Sequence, residues 1–175
     1  MNTKREIINK VAQSPLITID LEELYEPGER VLYDLKDNLY EGIILKEKDF
    51  REHLKTNDWS SYQDKHVAIY CSVDAIIPRW AFMLLAVHLE PFTRTIVYGD
   101  LKVLENELFK KAILKINPRN FIDKKVVIKG CSKIEVPTSA YVEITNLLKP
   151  FVFSIMYGEP CSTVPVYKKP KNFKN

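Results

Sequence analysis

The chain of 175 residues contains few of the residues that mark specialised protein classes, with only 5 glycines and 3 cysteines. The low glycine content argues against a flexible, low-complexity chain, and the odd number of cysteines argues against a disulfide framework. The longest apolar stretch, Trp80 to Leu89, is too short to cross a bilayer. The first residues lack the apolar core of a signal peptide. We therefore expect a cytoplasmic protein with reduced thiols and no membrane association.

The charge of the chain lies mainly at its C-terminus. The net charge is +3, and four lysines fall within residues 168–175, namely Lys168, Lys169, Lys171 and Lys174. We expect residues 1–167 to form a single, nearly neutral α/β domain, followed by a basic flexible tail at 168–175. No segment of the domain combines a basic stripe with spaced aromatic residues, so nucleic acid is not an expected partner.

The sequence repeats itself at an interval of about 59 residues. Residues 62–69 (YQDKHVAI) return as 121–128 (FIDKKVVI), and Tyr98-Gly-Asp100 returns as Tyr157-Gly-Glu159. This repetition predicts one α-β-α-β unit that occurs twice, at about residues 45–100 and 104–159.

The pattern of each copy predicts a helix, a strand, a second helix and a second strand. Prolines at 78 and 137 are expected to begin the second helices, and prolines at 91 and 150 to end them. The predicted elements are Glu47–Lys55, Val67–Tyr70, Arg79–Glu90 and Thr95–Tyr98, matched by Glu105–Lys115, Val126–Lys129, Thr138–Lys149 and Ser154–Tyr157. This order is typical of an α/β fold with a mostly parallel sheet and helices on its faces.

The first third of the chain gives a weaker pattern. Ile7–Val11 predicts a short helix and Leu16–Ile19 a strand, while Arg30–Leu35 and Leu39–Leu45 are candidates for a β-hairpin. The helix at Trp80–Leu89 is apolar on nearly every side. It is therefore expected either to be covered by the N-terminal segment or to form a homodimer contact.

Three cysteines carry the candidate chemistry. Cys71 and Cys131 stand just past the carboxyl ends of two predicted strands, and Cys161 follows the last predicted strand. In open parallel sheets ligands bind at this edge. Thiolates are ligands suited to zinc or iron–sulfur clusters, so the three cysteines could share a metal site. Ser72, Ser132 and Ser162 would donate to the sulfurs, and a fourth ligand would come from Asp74, Asp100, Glu159, a histidine, water or a partner.

Two observations weigh against this hypothesis. No Cys-x-x-Cys pair is present, and the ends of strands that are not adjacent lie about 10 Å apart, too far for one metal. Cysteine is also a common buried packing residue, so purely structural thiols remain an alternative. Phosphate-binding loops, nucleophile elbows and zinc-protease helices are all missing from the sequence, and an enzyme is not the leading interpretation.

Four stretches resemble an uncharacterised family of Bacteroidetes, domain-of-unknown-function family 2480. They are 45–52 (LKEKDFRE), 71–75 (CSVDA), 129–132 (KGCS) and 157–165 (YGEPCSTVP). The resemblance extends from about Ile7 to Tyr167 and implies no established activity. It does imply a genomic neighbourhood beside the sulfur-mobilisation (SUF) genes for iron–sulfur assembly.

Three functional hypotheses follow. The first is a non-enzymatic accessory protein of iron–sulfur or metal handling, with a cluster or zinc at Cys71, Cys131 and Cys161 and with assembly proteins as partners. The second is a thiol enzyme or sulfur carrier, in which one cysteine becomes a persulfide. The third is a scaffold that binds another protein through the face formed by Trp80–Leu89, with structural cysteines only.

Overall fold

The structure, a computed structural model, describes residues 16–130 and 133–170. The helices of this part are α1 (Glu47–Thr56), α2 (Arg79–Leu89), α3 (Leu101–Leu114) and α4 (Thr138–Leu148). Its strands are β1 (Leu16–Asp20), β2 (Arg30–Asp34), β3 (His66–Tyr70), β4 (Thr95–Tyr98), β5 (Lys125–Lys129), β6 (Ser154–Glu159) and β7 (Ser162–Lys168). The predicted α/β class with mostly parallel strands is confirmed.

The chain divides into two compact units, and each has its own sheet. The inserted unit, residues 26–108, contains a parallel sheet in the order β2-β3-β4. The split unit, residues 1–25 together with 109–175, contains the order β1-β5-β6-β7, in which only β7 is antiparallel. The strands therefore form two sheets, whereas the sequence led us to expect one.

The central strand of each sheet is buried, as expected for a parallel strand that is covered on both faces. Val126, Val127 and Ile128 of β5 are at most 3% exposed, and so are residues 66–69 of β3. A helix covers one face of each sheet with its apolar side. Ala81, Leu85 and Leu89 of α2 are fully buried in the inserted unit, and Ala140, Ile144 and Leu148 of α4 take the matching place in the split unit.

The duplication predicted from the sequence is present in the backbone. Asp64 and Asp123, which precede β3 and β5, both adopt positive φ angles, 59° and 54°. Aspartate tolerates this left-handed conformation better than most residues, which explains why both copies carry it. Pro78 and Pro137 precede α2 and α4 with nearly identical angles, φ −64° and −65°.

The duplication also extends further toward the N-terminus than the sequence indicated. β1 ends at Asp20 and β2 at Asp34, and each aspartate begins a short 3-10 helix, Leu21–Leu24 or Leu35–Asn38. The side chain of each accepts a hydrogen bond from the backbone N–H two residues later, at 3.0 and 3.1 Å. β1 pairs with β5 in the same way that β2 pairs with β3. Each unit is thus a copy of one motif, and the inserted unit interrupts the other copy after Tyr25.

The expected hairpin of Arg30–Leu35 with Leu39–Leu45 does not form. β2 pairs in parallel with β3, and residues 39–45 contribute two isolated bridges, one between Tyr40 and Ile44 and one between Ile44 and Ile76. The reason is burial, because a parallel partner lets Tyr33 enter the core of the inserted unit. The helix expected at Ile7–Val11 lies outside the described residues.

At the other end of the chain, β7 occupies part of the segment that we expected to be a tail. The strand runs to Lys168, and Lys169 Nζ lies 2.9 Å from Asp123 Oδ1. Residues 171–175 lie outside the described part. Among the described helices, none combines the length and apolar composition that crossing a membrane requires.

Candidate functional site

The carboxyl edge of the sheet in the split unit brings charged side chains together. β1, β5 and β6 run in parallel and end at Asp20, Lys129 and Glu159. Lys129 Nζ lies 3.0 Å from Asp20 Oδ2 and 3.8 Å from Glu159 Oε1. The hydrogen bond to Asp20, and then the negative charges of Asp20 and Glu159, raise the pKa of Lys129. A fixed positive charge therefore lies between two carboxylates at the strand ends.

These side chains line a cleft of about 190 Å³. Its complete lining is Asp20, Glu22, Lys129, Gly130, Tyr157, Gly158 and Glu159. Glu22 Oε1 accepts a hydrogen bond from the backbone N–H of Lys133, at 3.1 Å. The Tyr141 hydroxyl donates to the carbonyl oxygen of Gly130. Polar contacts thus hold the chain immediately before and immediately after Cys131 and Ser132.

Two of the three cysteines follow neighbouring strands of this sheet. Cys161 is exposed in the turn between β6 and β7, two residues after β6 ends at Glu159. Cys131 lies outside the described residues, but in the sequence it stands two residues after β5 ends at Lys129. β5 and β6 are adjacent, and adjacent strands lie about 4.8 Å apart. The spacing objection raised above for non-adjacent strands therefore does not apply to this pair.

Cys71 belongs to the inserted unit. It follows β3 directly, is half-buried, and packs against the hydrophobic core that contains Val67 and Leu85. Its neighbour Ser72 is hydrogen-bonded to Asp34, with the backbone N–H 3.0 Å from Asp34 Oδ1. The structure therefore places Cys71 in a different unit from the other two cysteines.

The remaining predicted site residues are divided in the same way. Asp100 precedes α3 and accepts a hydrogen bond from the backbone N–H of Val103 at 2.9 Å, which makes it a helix-capping residue. Asp74 is exposed in the loop after β3. Ser162 begins β7 opposite Glu159, while Ser132 lies outside the described residues. Within residues 16–130 and 133–170, no three histidine, cysteine or acidic side chains form a metal-binding group.

The comparison with protein families covers nearly the whole chain. Residues 5–169 match the model of a family described as protein of unknown function, DUF2480. The chain belongs to this family. No curated protein and no solved structure matches this DUF2480 chain significantly. The sequence resemblance to the family is thus confirmed, and function must be argued from the residues themselves.

Sequence reasoning missed Asp20, Glu22 and Lys129 in the DUF2480 chain. A signal was present, because an acid and a leucine directly follow a short apolar strand twice, as Ile19-Asp-Leu21 and Tyr33-Asp-Leu35. These segments are 14 residues apart rather than about 59, so they fall outside the main repeat interval. The spacing differs because the inserted unit begins directly after Tyr25, so that β2 follows β1 closely in the sequence although the two strands belong to different units.

A second polar cleft, of about 280 Å³, lies in the inserted unit of this DUF2480 chain. In it the hydroxyl of Tyr33 lies 3.1 Å from Asn38 Oδ1 and 2.9 Å from His53 Nε2. Burial, and then the nearby Tyr62, raise the pKa of Tyr33 well above its ordinary value. The phenol therefore stays protonated at neutral pH. None of the residues that line this cleft is a cysteine.

The matched aspartate of the inserted unit should make stability depend on pH. Burial alone would raise the pKa of Asp34, but hydrogen bonds from Ser72 and Lys36 outweigh it and hold that pKa below its ordinary value. A carboxyl whose pKa is lower in the folded state stabilises the fold above its unfolded pKa, near 3.9, and this contribution is lost as the pH falls through the folded value.

We therefore expect Asp34→Asn to lower the free energy of unfolding by about 1 kcal/mol at neutral pH and to flatten its acid dependence. Asparagine retains the capping oxygen, so the change isolates the charge. Denaturant unfolding across the acid range measures both effects, with exposed Asp37→Asn as the control. Equal acid dependence in the wild type and in Asp34→Asn would contradict this assignment.

Proposed function

We propose that the protein is a cytoplasmic, non-enzymatic accessory protein of iron–sulfur or metal handling, in which Cys131 and Cys161 bind a metal ion or cluster. The observation that supports this most is the adjacency of β5 and β6. Their ends are also linked through Lys129 and Glu159. In the sequence, Cys131 and Cys161 each stand two residues after one of these two neighbouring strands, which supports a shared site.

The chemistry of the cleft agrees with this role. Two thiolates fill half of a tetrahedral coordination sphere, and carboxylates also bind zinc and iron. Glu159 lies two residues before Cys161 with its side chain 63% exposed, so it is our candidate for the third ligand. A fourth position is left for water or for a ligand from a partner.

The proposal assigns Cys71 a packing role. Its side chain is half-buried against apolar residues of the inserted unit, an environment typical of an inert cysteine. The metal site expected from the sequence used three cysteines, and the proposal keeps only Cys131 and Cys161 as ligands. The partners that we propose are iron–sulfur assembly proteins, in line with the gene neighbourhood that the family resemblance implies.

A sulfur carrier is the second candidate, and the exposure of Cys161 favours it. In this reaction the thiolate of Cys161 would attack the outer sulfur of a donor persulfide, and the donor would leave as a thiolate. No metal takes part. The two candidates therefore differ in what they require of Cys131, which is a ligand in the first and dispensable in the second.

Cobalt binding under anaerobic conditions tests the proposal. Co²⁺ replaces Zn²⁺ or Fe²⁺ in thiolate sites and gives a thiolate-to-metal charge-transfer band. We expect this band in the wild type and in Cys71→Ser, and at least a hundredfold weaker binding in Cys131→Ser and in Cys161→Ser. Cys71→Ser is the matched control, because it removes one thiol without touching the split unit.

Two outcomes would contradict the metal site. One is the same loss of cobalt binding in all three variants, and the other is no charge-transfer band in any of the proteins. Rapid labelling of Cys161 by an alkylating reagent, unchanged by Cys131→Ser and without metal binding, would instead support the sulfur carrier.

A further inference from the structure

The sheet of the inserted unit has an edge with which no other described strand pairs. β4 pairs with β3 on one side only. The backbone N–H of Gly99 donates to the carbonyl oxygen of Ile69 at 3.0 Å. The backbone N–H and C=O groups of every second residue of β4, counted back from Gly99, therefore point toward β3. The N–H and C=O groups of Ile96 and Tyr98 therefore point away from it. Within the described part of the chain, no backbone group pairs with this outer side of β4.

The split unit shows which kind of strand pairs with the matching edge, that of β6. Ile155 and Tyr157 of β6 occupy the positions that Ile96 and Tyr98 occupy in β4. They face β7, an antiparallel strand, opposite Tyr167 and Val164. The inserted unit has no counterpart of β7, because its chain passes from β4 into α3 through only Gly99 and Asp100. No strand in the described part of the chain pairs with this side of β4, so the edge can accept a strand from another chain.

The helix beside the open edge is also more apolar than its copy. Five residues of α4 line the groove of about 460 Å³ that also includes Val166 of β7, namely Thr138, Tyr141, Val142, Thr145 and Asn146. Four of the matching residues of α2 are apolar, namely Phe82, Met83, Ala86 and Val87, and the fifth is Arg79. Met83 is 69% exposed and Val87 is 68% exposed. Exposed apolar residues beside an unpaired strand mark an interaction surface.

We propose that two copies of this chain associate through β4, with the strands antiparallel about a two-fold axis at Val97. In this register Ile96 of each copy lies opposite Tyr98 of the other, and these pairs use the outward N–H and C=O groups on both strands. The α2 helices then cover one another's exposed Met83 and Val87. The strands form one continuous sheet across the dimer.

Charge complementarity selects this occupant. The same register places Arg94 of one copy opposite Asp100 of the other, at both ends of the paired strands. Both residues are exposed and carry opposite charge. Arg94 also lies 3.9 Å from Asp64 and Asp100 also caps α3, so the pairs across the dimer would add to contacts within each copy. The edge is thus complementary to itself when two copies meet about the two-fold axis. A two-fold axis needs this kind of self-complementary surface. The inference does not depend on the thiol site, because it involves only the inserted unit.

Sedimentation equilibrium of the full chain tests the association. We expect a dimer for the wild type, and at least a tenfold higher dissociation constant for Met83→Lys. The control is Val142→Lys, the same change at the matched position of α4, where valine is 56% exposed. It should leave the dimer unchanged. A monomeric wild type would overturn the proposal, and so would equal weakening by both variants.

A single cysteine tests the register. Val97→Cys places two thiols opposite each other at the two-fold axis in a pair that is not hydrogen-bonded, where Cα atoms lie about 4.5 Å apart and a disulfide fits. Mild oxidation should give a covalent dimer whose mass map contains a 97–97 disulfide. A dimer that forms without this link would overturn the pairing through β4. If Val97→Cys fails to fold, the comparison of Met83→Lys with Val142→Lys still decides the matter.

Discussion

Phe50→Ala and Phe109→Ala should each lower the free energy of unfolding by about 3–5 kcal/mol, the usual cost of removing a buried aromatic side chain. Both phenylalanines are 1% exposed, and they lie at matched positions of the repeat. Phe50 packs in the core of the inserted unit, and Phe109 packs in that of the split unit. Each substitution should therefore loosen its own unit first.

Hydrogen exchange can separate the two effects. Phe50→Ala should reduce amide protection in β3, and Phe109→Ala should reduce it in β5, since these are the central strands of the two sheets. The control is Leu114→Ala on the same helix as Phe109, because Leu114 is 65% exposed. If both phenylalanine variants lower the amide protection of β3 and β5 equally, the two units unfold together. That result would contradict two separate cores.

Gly158→Ala should cost roughly 2–4 kcal/mol, the sum of a left-handed backbone penalty and of overpacking. Gly158 has φ +114°, and a Cβ atom built there would lie 2.7 Å from the backbone oxygen of Ser162. Backbone cannot move aside as a side chain can. The substitution should therefore distort the turn that carries Cys161, and it should weaken cobalt binding as well as stability.

Gly42→Ala is the matched control for this substitution. Gly42 also has a positive φ, +71°, but a Cβ atom there would meet nothing within 4 Å. Its cost should be limited to the backbone penalty of about 1 kcal/mol. Thermal unfolding of both variants measures the difference. A loss for Gly158→Ala no larger than that for Gly42→Ala would contradict the close contact between β6 and β7.

The repeat could be recognised in the sequence because some backbone conformations require particular residues at single positions. Proline before α2 and α4 and aspartate in the left-handed turns before β3 and β5 reflect backbone conformations that few other residues adopt. Such positions keep the same residue in both copies. The order and limits of these elements could therefore be predicted without any knowledge of tertiary contacts.

Strand pairing was less visible, because it depends on partners far away along the chain. β1 pairs with β5, more than 100 residues later, and nothing local to Leu16–Asp20 indicates that choice. β7 was missed since Pro165 argues against a central strand. The structure accommodates this proline on an edge strand, opposite Met156 and next to an irregularity in the ladder.

The candidate site was predicted in part for the same reason. Cysteine is conspicuous in a sequence, so Cys131 and Cys161 were singled out, and the rule for parallel sheets predicts that they lie at a strand edge. Their shared site stays a prediction. Asp20 and Glu22 were missed, because they reach that edge only through the long-range pairing of β1. Cys71 was grouped with the others because chain order alone does not reveal that it belongs to a second sheet.

Reaction with phenylarsine oxide measures the central claim most directly, because trivalent arsenic bridges two thiols only when they lie next to each other. After reduction, the protein should bind one arsenic per chain, and mass mapping should find it joining the peptides of Cys131 and Cys161. The result should be the same in Cys71→Ser. An arsenic bridge that includes Cys71, or three thiols that react independently, would contradict a shared site on neighbouring strands.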